Sequence, residues 1–236
     1  HEWQTDALAA AASNAVVEGA DASFGDLTAT SRAGNYCQIL QKTYAVSETQ
    51  EAVDSAGRKS EIAHQKKKAM KELARDIEYA LVINSASASG ASGTARTLKG
   101  VIGWISNNVT TGTGTGSEAL TESMFNDNLQ LIWAEGGEPP FTTLCGAFQK
   151  RKFDGFSTNT RYAMADEKIL TAAVSVYESS FGVVTVRLHH IINTSASSTI
   201  VTLRDMSLWK KGWLRRPKER QIAKIGDADR YQCIAE

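Results

Sequence analysis

A long helix fed by a ribbon that cannot bury itself constrains this chain more than any other feature. From Arg58 to Ile83, apolar residues fall at Ile62, Ala69, Met70, Leu73, Ile77, Ala80 and Leu81. That is the i, i+3, i+4, i+7 spacing of one helical face. Neither glycine nor proline interrupts it. At about 1.5 Å per residue the helix spans roughly 39 Å, enough for a spine across a domain. Asn84-Ser85 and a Ser/Ala/Gly run to Gly93 stop it. Upstream, Ser31–Thr49 places Tyr36, Ile39, Tyr44 and Val46 between polar residues. This predicts extended, mostly solvent-facing chain in a hairpin. A hairpin with so little core-facing surface is marginal alone, so the ribbon needs a partner. Ala7–Ala15 is compatible with a helix, Gly19–Gly25 is loop-like, and Gly57 closes this section.

Beyond the helix, residues 84–93 and 110–117 are Gly/Ser/Thr-rich loops flanking a short buried segment, Leu98–Ile105. A second helix is predicted over Ser117–Trp133, with Leu120, Met124, Asn128, Leu131 and Ile132 on one face and Thr115 and Glu118 at capping-box spacing. Gly136-Gly137 and Pro139-Pro140 end it. A strand at Phe141–Leu144 and a short helix at Gly146–Phe153 follow. After Asp166 the period becomes two: Val174/Val176, Val184/Val186/Leu188 and Val201/Leu203 alternate with polar residues, predicting mostly antiparallel strands. The fold class is α+β.

Composition narrows the function classes. Lys+Arg and Asp+Glu number 26 each, so the chain lacks the basic excess of a DNA-coating protein. No apolar run approaches the roughly 20 residues of a membrane helix, and no basic start precedes an apolar stretch, so no signal peptide is expected. Cys37, Cys145 and Cys233 are too scattered for a disulfide framework or a zinc site; synthesis in a reducing cytoplasm is expected. The abrupt starts and stops at His1 and Glu236 read as the interior of a longer protein.

No catalytic constellation emerges. Gly112-Thr-Gly-Thr-Gly lacks the Gly-Lys-Ser/Thr ending of a phosphate loop, and Glu118 would repel phosphates. His189 and His190, adjacent on a predicted strand, would point to opposite faces. Cys145 before Gly146 has no local base to activate it. Lys66-Lys-Lys68 with Lys71 forms a basic patch, which Glu72 and Asp76 could pair through Lys68 and Arg75. A solvated face, a subunit contact and a nucleic-acid contact all remain open for it. The five tryptophans fit core and interface anchoring. No catalytic, cofactor or metal site is assigned.

Four ordered segments resemble tailed-bacteriophage major capsid (major head) proteins. They are Glu2-Trp-Gln-Thr-Asp6-Ala-Leu; Arg32-Ala-Gly-Asn-Tyr-Cys-Gln38-Ile with Val46-Ser-Glu-Thr; the helix residues Glu61, Gln65, Glu72-Leu and Arg75-Asp-Ile-Glu78; and the tail, Phe181-Gly-Val-Val, Leu214-Arg-Arg-Pro and Lys224-Ile-Gly-Asp227 with Arg230. The resemblance implies a Hong Kong 97-type shell fold. Residues 1–57 would hold the N-terminal segment and an extended loop (E-loop, about 14–50). Residues 58–117 would form a peripheral domain with the spine helix at 58–83. Residues 118–212 would form an axial domain, and 213–236 would return to the peripheral sheet. It implies self-assembly into pentamers and hexamers of an icosahedral head around double-stranded DNA. Decoration, scaffolding and portal proteins are further candidate partners, and no membrane is involved. An encapsulin-like compartment shell is the alternative. Arg32, Lys42 and Glu48 in the loop, and Arg75, Asp76 and Glu78 on the spine, are the assembly-interface candidates.

Overall fold

The computed structural model describes residues 1–22, 24–53, 57–111, 119–156, 176–195, 199–204 and 206–236. It is a mixed helix and sheet fold with three sheets among the described residues. The Gly112–Gly116 run, the Thr115/Glu118 pair, Asp166 and Val174 lie outside them.

Strands β1 (Glu2–Thr5) and β2 (Ser31–Gly34) form an antiparallel ladder with Glu2 opposite Gly34 and Thr5 opposite Ser31. Between them, residues 6–22 and 24–30 are exposed at every position and form neither helix nor strand. The Ala7–Ala15 stretch stays non-helical because small residues around the single Leu8 offer no continuous apolar face to bury, and propensity alone does not nucleate a short helix.

The ribbon differs from the expected hairpin. β3 (Leu40–Ser47) pairs not with β2 but with β9 (Ala228–Ala235), antiparallel, with Leu40 opposite Ala235 and Ser47 opposite Ala228. β8 (Lys218–Ile222) flanks β9 on its other side, giving the order β3-β9-β8. Alternate residues of β3, namely Leu40, Lys42, Tyr44 and Val46, turn inward. Pairing with β9 buries that face; pairing with the short, exposed β2 would not. After β3, the short helix α1 (Glu48–Ala52) starts on the Ser47 hydroxyl, which accepts from the Gln50 N–H at 3.3 Å.

The long helix is α2 (Glu61–Ile83). It begins at Glu61 rather than Arg58 because Ser60 takes the cap, its hydroxyl accepting from the Ala63 N–H at 3.1 Å. The Glu51 carboxylate adds a second cap, accepting from the N–H groups of Glu61 (2.9 Å) and Ile62 (3.1 Å). The Ser60 hydroxyl and these amides hold Glu51 below the ordinary carboxylate range. Two cores lie along α2. Ala69 and Leu73 pack with Cys233, Ala235, Leu40 and Tyr44 on the three-stranded sheet, and Trp213 closes the cluster. Val82 and Ile83, at the far end, pack with Ile192, Val201 and Leu203. One helix thus joins both larger sheets.

The chain after α2 folds back against it through α3 (Val101–Trp104). A Cβ on Gly100 would sit 2.8 Å from the Ala80 carbonyl oxygen, and one on Gly103 would sit 2.6 Å from that of Ser85. Glycine is required there by backbone packed on backbone.

The remaining body is a four-stranded sheet, in order β5 (Val176–Ser179), β6 (Gly182–Leu188), β4 (Phe141–Cys145), β7 (Ile200–Arg204). It is not wholly antiparallel, since β4 and β6 run parallel. Three helices accompany it: α4 (Glu122–Ala134), α5 (Ala147–Phe153) and α6 (His190–Ser195). Phe125, Leu129, Phe141, Phe153 and Val184 form its core, Phe125 meeting Phe153 edge-on at 4.7 Å. α4 starts at Glu122, capped by Thr121, and not at Ser117. Its buried stripe runs through Phe125 and Leu129, with Leu120 and Ile132 alongside, and leaves Leu131 exposed. The buried face is rotated from the expected one because Phe125 and Leu129 pack into the core with Phe153 and Tyr177.

Candidate functional site

The six assembly-interface candidates mostly brace the chain to itself. Arg32 on β2 pairs with Glu2 on β1. Lys42 on β3 reaches Asp76 on α2 at 2.8 Å, and that carboxylate raises the Lys42 ammonium above its ordinary range. Glu48 pairs with Lys224. Glu78 sits 3.0 Å from the His189 Nε2. Only Arg75, exposed on α2, has no ion-pair partner among the described residues. Exposed pairs of this kind contribute about 0–1 kcal/mol each, little enough to be exchanged for another partner.

His189 does not lie on a strand. β6 ends at Leu188, and the His189 Nδ1 accepts from the Ile192 N–H at 3.4 Å, starting α6. The ring therefore ties α6 to α2 through Glu78. His190 is the first residue of α6. Cys145 is fully buried, and burial pushes its thiol up to about 11, the reverse of an activated nucleophile. Among the described residues, no group of three His, Cys, Asp or Glu could hold a metal ion, and no helix is long and apolar enough to cross a membrane.

Some bracing residues carry no sequence signal. The Asn35 side-chain amide exchanges two hydrogen bonds with the Lys99 backbone, donating to its carbonyl and accepting from its N–H, each at 2.8 Å. Gln38 accepts from the Leu98 N–H (3.2 Å) and the Asn84 amide (2.9 Å). These two amides fasten residues 35–38 to the chain leaving α2, much as a strand would. Trp3 packs 5.5 Å from Trp104 and anchors the β1–β2 ladder at the same place. The Arg32–Gln38 segment thus spends its polar groups on specific internal partners.

Glu219 on β8 is the second such case. Its carboxylate accepts from the Tyr44 hydroxyl of β3 and pairs with Lys66 of α2 at 2.5 Å. Tyr44 stacks on Tyr231 of β9 at 5.1 Å. Burial alone would raise the Glu219 carboxyl, but Lys66 and Tyr44 outweigh it and hold it below the ordinary range. Burial, together with Glu219, raises the Tyr44 hydroxyl. A carboxylate with a lowered folded pKa stabilises above its unfolded value, about 4.3, and loses that contribution as pH falls through the folded value. Glu219→Gln is therefore expected to cost about 1–2 kcal/mol near pH 7. In urea unfolding the difference should shrink and disappear as pH falls below the ordinary carboxylate range. A difference unchanged into strong acid would show that the charge is not the stabilising element.

The segments that carried the sequence resemblance meet in space. The Glu48 N–H donates to the Asp227 carbonyl at 3.2 Å, Glu48 pairs with Lys224, and Thr49 reaches the Asp227 carboxylate at 3.4 Å. The sequence profile of the SU10 major capsid protein family matches residues 1–236, the whole of the chain. The chain belongs to the SU10 major capsid protein family. A curated protein named "Major capsid protein", from Escherichia phage Phieco32, is 34% identical to it over 136 residues, 57% of this chain and 36% of that protein. The aligned region therefore spans little more than a third of that relative's length.

Membership in a capsid family changes what counts as the functional site. A shell protein works through its surfaces, and here the most conspicuous is apolar. Within residues 6–30, Leu8, Phe24 and Leu27 are each at least 95% exposed, and Val16 and Val17 more than 80%. Isolated exposed leucines are ordinary, but five large apolar side chains on one unsupported segment call for a partner surface.

Proposed function

We propose that this chain is a structural subunit that assembles with copies of itself into the icosahedral head of a tailed double-stranded DNA phage. The observation that carries this reading is the projecting segment at residues 6–30, apolar and uncovered by its own body. Obligate interfaces bury roughly 2,000–5,000 Å², and a segment exposed at every described position offers surface for contacts of that kind. In a closed lattice, many modest contacts become collectively long-lived.

The finer architecture we assign is that of the Hong Kong 97-type shell. The exposed segment is the tip of the E-loop in the N-terminal part, residues 1–57, and α2 is the spine helix of a peripheral domain, 58–117. Residues 118–212 form the axial domain, and 213–236 return to the peripheral sheet. The α2 helix bridging two sheets supports that division. Arg75 is the assembly contact we favour of the six candidates, because the other five already have partners within the chain. Decoration, scaffolding and portal proteins would meet the finished lattice, and DNA would lie inside a wall whose zero net charge contains it without gripping it. Synthesis in the bacterial cytoplasm precedes assembly.

Electron microscopy of the purified chain under assembly conditions tests the proposal. Closed shells, or their pentamers and hexamers, are the expected result. Compact monomers alone, across protein concentration and salt, would sink it.

A further inference from the structure

The chain is neutral overall, yet its charge is unevenly placed. From Met206 to Lys218 it carries Lys210, Lys211, Arg215, Arg216 and Lys218 and no acid. Every residue of this stretch is exposed except Trp213. The stretch is nonetheless fixed to the body. Trp213 packs against the cluster that joins α2 to the three-stranded sheet. The N–H groups of Leu214 and Arg215 donate to the Glu236 carbonyl at 2.8 and 2.9 Å, and the Glu236 N–H donates back to the Arg215 carbonyl at 2.9 Å. Pro217 then leads into β8.

Most of these bases are left without a counter-charge. The Glu236 carboxylate neutralises Arg215, accepting from its Nε at 2.8 Å and its Nη2 at 2.6 Å. Glu219, next to Lys218 in the chain, faces the other side of β8, toward Tyr44 and Lys66. Lys211 lies over the Trp213 ring at 4.6 Å, which does not cancel its charge. Lys210, Arg216 and Lys218 have no ion-pair partner among the described residues. Like charges held together on a fixed backbone repel one another, so a ligand that brings negative charge stabilises the strip.

The exposed face of α2 differs in this respect. Lys67, Lys68, Lys71 and Arg75 are exposed there, and the Glu72/Asp76 to Lys68/Arg75 pairs expected from spacing do not form. Asp76 is taken by Lys42 and Glu78 by His189, but their side chains stay 43% and 54% exposed. A polyanion approaching that row would meet carboxylates on the same helix.

We infer that the strip Lys210–Lys218 holds the phosphate backbone of the double-stranded DNA inside the head. This rests on the shell reading above, which puts a polyanion against the wall, and it names the local hold that an otherwise neutral wall has on it. The strip reaches at most about 27 Å, enough to follow several phosphates along one DNA strand at about 3.4 Å each. Contact of this kind carries no sequence information and depends steeply on salt.

Titration of the unassembled full chain with a fluorescent DNA duplex, at several salt concentrations, tests this. Four bases on four phosphates give a slope of about −3.6 in log affinity against log salt, so binding should weaken about 100-fold between about 50 and 200 mM. Lys210→Gln/Arg216→Gln/Lys218→Gln leaves only Lys211, on Trp213, of the four uncancelled bases. Its slope should fall to about −0.9, a weakening of about three-fold over the same range. Lys67→Gln/Lys68→Gln/Lys71→Gln removes the same charge from α2 and should keep the parent slope. All six positions are exposed, and circular dichroism should show both variants folded.

A parent chain with no measurable affinity for the duplex, or a strip variant with an unchanged slope, would overturn the inference. Equal losses in the two variants would overturn it too, since binding would then follow net charge and not the strip. The titration needs no assembly, so a parent chain that binds the duplex through the strip but never forms shells would instead refute the shell reading.

Discussion

Replacing residues 6–30 with Asn-Gly is expected to abolish shell formation and leave a folded body. Thr5 and Ser31 stand directly opposite each other at the end of the β1–β2 ladder. A two-residue Asn-Gly turn is the connection such a pair favours, so the excision closes a tight hairpin without strain elsewhere. None of the described residues in the removed stretch is buried, and the melting temperature should shift by less than about 5 °C. What disappears is five exposed apolar side chains and four acids. Circular dichroism and electron microscopy read the two halves of the expectation separately. Normal shells from the excised chain would place the essential contact elsewhere, and an unfolded product would make the segment part of the body. The limits of the cut matter: one extended to residue 45 would remove β2 and most of β3, and with them the edge of a core sheet.

Leu73→Asp is expected to prevent folding. Leu73 is 1% exposed and packs with Ala69, Cys233 and Ala235 at the centre of the cluster joining α2 to the three-stranded sheet. An unpaired carboxylate there costs several kcal/mol, added to the loss of a buried leucine at about 2–5 kcal/mol. The sum rivals the whole stability of a typical domain, about 5–15 kcal/mol. Leu73→Ala is the control; it should lower the melting temperature yet fold. Native-like resistance to proteolysis in Leu73→Asp would show that this cluster does not hold the subunit together.

Local periodicity makes α2, β4, α5 and the alternating strands β6 and β7 legible in the amino-acid sequence, because each carries its own signal within a few residues. Pairing is not legible there. Nothing in Leu40–Ser47 says that its neighbour is Ala228–Ala235, and the hairpin expectation fails at that point. The capsid resemblance comes from ordered residues whose roles are opaque in sequence. Asn35 and Gln38 are amides standing in for a backbone ladder, and Glu48 and Asp227 are two sides of one contact. Glu78 looks available to a neighbour but is held by His189, a partner more than a hundred positions away along the chain. Side-chain type announces what a residue can bind, and only the fold decides which partner it meets.

The Gln41–Gln232 amide contact across β3 and β9 joins residues 191 positions apart. A ladder of such high contact order forms late and slowly, because most of the loop entropy is lost before any pairing rewards it. On the ribosome, β3 emerges early and stays without its neighbour until β9 has been synthesised. A prematurely terminated polypeptide therefore lacks the strand that completes this sheet, and the inner edge of β3 stays unpaired.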